Sequence, residues 1–122
     1  MQRPQAIKHI LSVSYDENLL ITRRLLLEKQ GYRVTSALGF VEAQARCQQD
    51  GFDLFILGHS IPALDKERLV KTFRATCDAP ILTLQRHAEM EFQSGDYRVP
   101  TAEPGDFLIA VAAVFSQQST LH

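Results

Sequence analysis

Short apolar runs alternate along this chain with segments whose apolar residues recur at helical spacing. Residues 8–13 form the first run, and their β-branched and aliphatic side chains predict a strand. Residues 19–30 are helix formers, preceded by the capping and acidic residues at 16–18 and followed by Gly31, which has the chemistry of a helix C-cap. The chain is therefore predicted to begin with a strand and a helix, and the helix is predicted to end at Gly31.

The same alternation continues to residue 115. Residues 52–57 are almost uninterruptedly apolar, which is typical of a central parallel strand covered on both faces. In a later helix, Leu69, Val70 and Phe73 recur on one face, and we predict Asp65 as its N-cap. The pattern predicts strands at 32–36, 52–57, 80–84 and 96–99, and helices at 39–50, 66–76 and 104–115.

Five alternations of strand and helix predict an α/β fold with a doubly wound, five-stranded parallel sheet and helices on both faces. The 122 residues suit one domain, with a core of about 8–115 and short tails at 1–6 and 116–122. Eleven residues separate Gln85 from Tyr97. A helix there has room for about two turns, so we expect a shortened fourth helix.

Charge and composition exclude several classes of function. Thirteen basic and fourteen acidic residues give a net charge of −1, so no basic face favours nucleic acid. No apolar run is long enough for a membrane span and the N-terminal residues lack the apolar centre of a signal peptide, so we predict a cytoplasmic protein. Residues 12–18 contain no glycine, which excludes a phosphate-binding loop there, and we predict no cofactor.

The segment FDLFILGHSIPALD, residues 52–65, resembles the third-strand signature of response-regulator receiver domains, D-x-x-x-x-D-x-x-M-P-x-M-D-G. Asp53 matches the acid that opens the strand, and Pro62, Leu64 and Asp65 match the loop that follows it. The resemblance extends over about residues 8–115. It implies a CheY-like, flavodoxin-like fold with the strand order 2-1-3-4-5.

The resemblance also implies a phosphorylation pocket, and each of its functional positions is changed in this sequence. Ser14 and Tyr15 stand where receivers carry the acidic pair that holds Mg²⁺. Gly58 stands at the phosphoacceptor aspartate, Gln85 at the hydroxyl residue that ends strand four, and Pro100 at the lysine of strand five. We therefore predict a degenerate pocket with neither a catalytic residue nor a metal ligand.

Other side chains are weaker candidates. His59 and Ser60 follow the acceptor position, at the sheet edge where α/β proteins bind ligands, and they could contact a ligand or a partner. Tyr97 matches an aromatic residue that reports phosphorylation in receivers, and it could contact partners too. Arg23 and Arg24 are predicted to lie on the solvated surface of the first helix.

The resulting hypothesis is a stand-alone pseudo-receiver that is not an enzyme. It would bind an unidentified protein, such as a signalling protein in bacterial two-component-type signalling, without phosphorylation, and homodimerisation stays open. The alternative is a small-ligand-binding or enzymatic flavodoxin-like domain that uses the carboxyl edge of its sheet. In that case Tyr15, His59, Ser60 and Gln85 would line a neutral polar pocket.

Overall fold

A computed structural model describes residues 7–49, 51–85, 97–100 and 104–120, with the backbone alone at 97–100, 104–105 and 118–120. The described residues form strands and helices in the predicted alternation. The elements are β1 (His9–Ser14), α1 (Glu17–Lys29), β2 (Arg33–Leu38), α2 (Phe40–Cys47), β3 (Leu54–Leu57), α3 (Ala63–Thr76), β4 (Ile81–Gln85), β5 (Tyr97–Pro100) and α4 (Pro104–Thr120).

The sheet is parallel, and its first four strands have the predicted order β2-β1-β3-β4. β1 pairs with both β2 and β3, and its register with β3 sets Val13 beside Leu57. The backbone of β5 runs parallel to β4, with Gln85 beside Pro100. The shortened fourth helix, predicted between Gln85 and Tyr97, lies outside the described residues.

β3 is the buried centre of the sheet, as its apolar run predicts. All four of its residues are completely buried, and alternate side chains enter different clusters because strand side chains point to opposite faces. Phe55 packs in a cluster with residues of α2 and α3, whereas Ile56 packs in one with residues of α1 and α4. Helices therefore cover both faces of the sheet.

The predicted boundaries of α1 are confirmed by its capping contacts. The Asp16 carboxylate accepts hydrogen bonds from the backbone N–H groups of Asn18, at 2.9 Å, and Leu19, at 3.3 Å. Gly31 lies just beyond the helix with φ of 95°, a left-handed conformation that glycine adopts without steric cost. Its N–H donates to the Glu28 carbonyl at 2.9 Å. The Asp16 cap fixes where the β1–α1 loop ends, and Gly31 fixes where the connection to β2 begins.

The start of α3 differs from the prediction. The helix begins at Ala63, with Pro62 at the N-cap position, so the predicted N-cap Asp65 lies in the first turn. The ring of Pro62 holds φ at −58°, close to helical values, and allows the helix to start before the acidic residue. This correction leaves the Asp65 carboxylate available for another contact.

The end of α4 also differs from the prediction. The helix continues to Thr120, so most of the expected tail at 116–122 is helical. The apolar periodicity ends at Phe115, but neither glycine nor proline follows to stop the helix, and the exposed polar residues Ser116 and Gln117 extend it. Within the part of the chain that the structure describes, no helix has the length and apolarity required to cross a membrane.

Candidate functional site

The carboxyl edge of the sheet collects the positions that the sequence singled out. Ser14 ends β1, and Gly58 directly follows β3, the strand beside it. Gln85 and Pro100 are paired at the ends of β4 and β5. Parallel strands end at the same edge, where α/β proteins bind ligands. These strand-end positions are the ones at which the degenerate pocket was predicted.

At the centre of this edge, serine hydroxyl groups connect the loop that follows β1 to the loop that follows β3. Ser14 Oγ and Ser60 Oγ are 2.9 Å apart. Ser60 Oγ accepts a hydrogen bond from the Tyr15 N–H at 3.0 Å, and Ser14 Oγ accepts one from the Asp16 N–H at 3.0 Å. The serines therefore satisfy backbone donors of the β1–α1 loop with neutral oxygen atoms.

Tyr15 connects the same loop to α3. Its hydroxyl donates a hydrogen bond to Asp65 Oδ2 at 2.8 Å. Burial raises the pKa of Tyr15 above its usual value, and the hydrogen bond to the Asp65 carboxylate raises it further. The phenol consequently stays a neutral donor throughout the physiological pH range.

Tyr15→Phe is expected to lower the free energy of unfolding by about 0.5–1.5 kcal/mol, because it removes one hydrogen bond and leaves the ring in place. The measurement is urea denaturation at neutral pH. Tyr32→Phe is the matched control, since the Tyr32 ring packs against Phe115 with centroids 5.3 Å apart, while its hydroxyl makes no hydrogen bond to the described residues. Equal losses in the two variants would contradict a role for the Tyr15–Asp65 bond.

Gly58 lies close to two neighbouring groups. A Cβ atom at this position would lie 2.6 Å from Arg23 Nη1 and 3.1 Å from the Val13 carbonyl oxygen. Its backbone is not in the left-handed region, unlike that of Gly31. Every residue larger than glycine therefore requires the Arg23 guanidinium to move.

Arg23 corrects the prediction that both arginines of α1 are solvated. Arg24 is exposed, but Arg23 is only 6% exposed, and its Nη1 atom has no hydrogen-bond partner among the described residues. Leu20 and Leu27, three residues before and four after Arg23, are the other buried residues of the helix. The three residues have i, i+3, i+7 spacing and so lie on one face of the helix. The position of Arg23 on this apolar face was the sequence signal that could have predicted its burial.

Lys66 is a second buried cation that the sequence analysis missed. It is 1% exposed, and its Nζ donates to the Leu84 carbonyl at the end of β4, at 3.3 Å. Its helical spacing to Leu69 and Phe73 places it on the buried face of α3. Two helices on opposite faces of the sheet thus each bury a cationic side chain close to its carboxyl edge.

The other predicted residues are less informative. His59 is half-buried in the loop after β3, and Gln85 is 8% exposed. The side chains of Tyr97 and Pro100 lie outside the described residues. No group of three or more His, Cys, Asp or Glu side chains in the described ranges is arranged to hold a metal ion.

A pocket of about 270 Å³ lies between α1, β2 and α2, and its lining includes Leu38, which ends β2 beside Ser14. It contains none of the residues predicted for the neutral ligand pocket. Its lining is formed by Glu17, Leu20, Ile21, Arg24, Ser36, Leu38 and Glu42.

Comparison of the sequence with known proteins finds one informative relative. No protein-family model matches the chain. The regulatory protein VanRB of Enterococcus faecalis is 29% identical over 99 residues. These residues are 81% of this chain and 44% of VanRB, so the chain spans less than half of that protein.

Solved structures give a stronger match. A CheY-like response regulator receiver domain protein from Methanospirillum hungatei superposes with a TM-score of 0.76 at 20% identity, covering 96% of this chain and 100% of the other. The receiver domain of the Pseudomonas aeruginosa sensor histidine kinase PA1611, solved with a magnesium ion in its active site cleft, gives 0.75 at 19% identity and covers 88% and 97% of the two chains. The chain therefore has the fold of the CheY-like response regulator receiver domains.

Proposed function

We propose that this chain is a pseudo-receiver, a signalling domain of the two-component type that binds other proteins and accepts no phosphoryl group. The observation that carries the proposal is the contact at Gly58, where a glycine replaces the acceptor and Arg23 fills the space of its side chain. The proposal includes the full receiver order of five strands, which the pairing of β5 with β4 supports.

Transfer of a phosphoryl group to a receiver needs a carboxylate nucleophile and positive charge to stabilise the transferred group. Gly58 has no side chain, and the hydroxyls of Ser14 and Ser60 accept hydrogen bonds from the β1–α1 loop. Gln85 and Pro100 replace the hydroxyl residue and the lysine that the resemblance leads one to expect. These substitutions together support a domain without phosphotransfer.

Contacts within the chain hold the carboxyl-edge loops together. The Ser14–Ser60 contact joins the loops after β1 and β3, and the Tyr15–Asp65 bond joins the first of them to α3. A partner would then recognise a surface that is already formed, which lowers the ordering cost of binding. Ile21 and Leu25, exposed by 44% and 56% on α1, offer apolar surface for a protein contact.

Incubating the chain with acetyl phosphate and Mg²⁺ is expected to leave its intact mass unchanged, without the gain of about 80 Da that one phosphoryl group adds. Mass spectrometry of the intact protein measures this. A receiver with a complete acidic site, treated in parallel, is the control for donor activity. An adduct that peptide mapping places on an aspartate of this chain would overturn the proposal.

A further inference from the structure

In its present position, the Arg23 side chain overlaps with any side chain at position 58. The guanidinium atoms Nη1 and Cζ would lie 2.6 Å and 3.6 Å from a Cβ atom on Gly58, and the first distance is far below van der Waals contact. Arg23 reaches this point from the buried face of α1, between the positions of Leu20 and Leu27. The end of the cationic side chain therefore occupies the place where a receiver carries its acceptor.

Among the described residues, the buried Arg23 side chain forms no ion pair. Its Nη1 atom donates no hydrogen bond to them. Burial lowers the pKa of Arg23, while the exposed Asp16 carboxylate acts in the opposite direction. The guanidinium nevertheless stays charged at neutral pH, because arginine titrates far above it. A buried, unpaired donor costs stability, so its placement calls for an explanation.

Mg²⁺ is the ion that the receiver resemblance implies, and the residues present do not fit it. The ion takes oxygen ligands, usually carboxylates and water, in a strict octahedral shell. At the receiver's metal and acceptor positions this edge has the neutral side chains of Ser14 and Tyr15 and a glycine at position 58. The nearby carboxylates have other contacts, since Asp16 caps α1 and Asp65 accepts from Tyr15. The Arg23 guanidinium adds a positive charge that repels a metal cation.

We propose that Arg23 is a tethered cation that occupies the acceptor end of the carboxyl edge and makes this edge refractory to divalent metal ions. The inference rests on the proposed function and goes one step beyond it. The missing carboxylates are one obstacle to metal binding, and the Arg23 guanidinium in contact with Gly58 is a separate one. Restoring the acids alone is therefore insufficient.

The experiment introduces Ser14→Asp with Tyr15→Asp and compares this double variant with a triple variant that also carries Arg23→Met. Isothermal titration with MgCl₂ and with MnCl₂ measures the affinity of each. Since Arg23 would repel the ion and pair with the new carboxylates, we expect the triple variant to bind at least about tenfold more tightly. Circular dichroism verifies that each variant is folded.

Arg24→Met in the same double variant is the matched control, because it removes an equal charge from the exposed neighbouring position. It should change metal affinity by less than about twofold, since an exposed charge is screened by solvent. If the double variant does not fold, Tyr15→Asp alone replaces it and keeps the Ser14 contacts. Equal metal affinities with and without Arg23, or equal effects of the two arginines, would overturn the inference.

These outcomes are distinct from failure of the proposed function. An aspartyl phosphate on the unmodified chain would contradict the loss of phosphotransfer whatever the metal titrations give. The unmodified chain could instead remain unphosphorylated while the metal affinities are equal with and without Arg23. In that case the pseudo-receiver proposal stands, and only the role of the tethered cation is contradicted.

Discussion

Gly58→Ala is expected to lower the free energy of unfolding by about 1–3 kcal/mol, the usual cost of inserting a methyl group into a filled site. The new Cβ would meet Arg23 Nη1 at 2.6 Å and the Val13 carbonyl oxygen at 3.1 Å. The guanidinium must move, and the β1 backbone has little freedom because it pairs with both β2 and β3. Urea denaturation of the unmodified chain and of the Gly58→Ala variant measures the difference in their free energies of unfolding.

A double-mutant cycle separates the two contacts. Arg23→Met removes the guanidinium, so Gly58→Ala should cost less in this background, by about 1 kcal/mol or more, as expected for residues in direct contact. The loss of stability that Gly58→Ala still causes in the Arg23→Met background comes from the contact of the new Cβ with the Val13 carbonyl oxygen. If Gly58→Ala costs the same with and without the guanidinium, the contact between residues 23 and 58 does not explain the glycine.

Phe55→Ala is expected to have the largest effect, a loss of about 3–5 kcal/mol, which is typical of deleting a buried aromatic ring. Phe55 is completely buried in the middle of β3. Its ring stacks on Phe73 with centroids 4.4 Å apart and lies near Phe52 at 5.8 Å. The truncation would therefore leave a cavity where β3 meets α3, and chemical denaturation measures its cost.

Phe40→Ala is the matched control, since the same ring is deleted from a partly buried position at the start of α2. A clearly smaller loss is expected there, because less apolar surface returns to water. Similar losses at the two positions would contradict the expectation that the deeper burial of Phe55 makes its ring the more important for stability.

Much of the architecture could be predicted because it depends on local patterns. The apolar run at 52–57 predicted the central strand, and the acidic and glycine signals predicted both ends of α1. The start of α3 was misplaced, because Asp65 has the chemistry of an N-cap whichever residue begins the helix. Its actual contact is the Tyr15 hydroxyl, 50 residues away in sequence.

The residues at the strand ends of the candidate site could be read from the sequence, but the buried cations beside them could not. Ser14, Tyr15 and Gly58 can be read as departures from a receiver pattern once the strands are aligned. The inward positions of Arg23 and Lys66 could not be read from the expectation that charges face solvent, although both lie in apolar stripes. At these two positions, the helical periodicity of apolar residues predicts burial better than the residue type does.

The sequence by itself determined the order of strands and helices, the buried centre of the sheet and the glycine that follows it, since each is written in consecutive residues. Tertiary structure alone decided that Arg23 fills the space beside Gly58, 35 positions later. That contact requires α1 to lie close to the residue that follows β3. A distance between two packed elements depends on their relative placement, which no local pattern specifies.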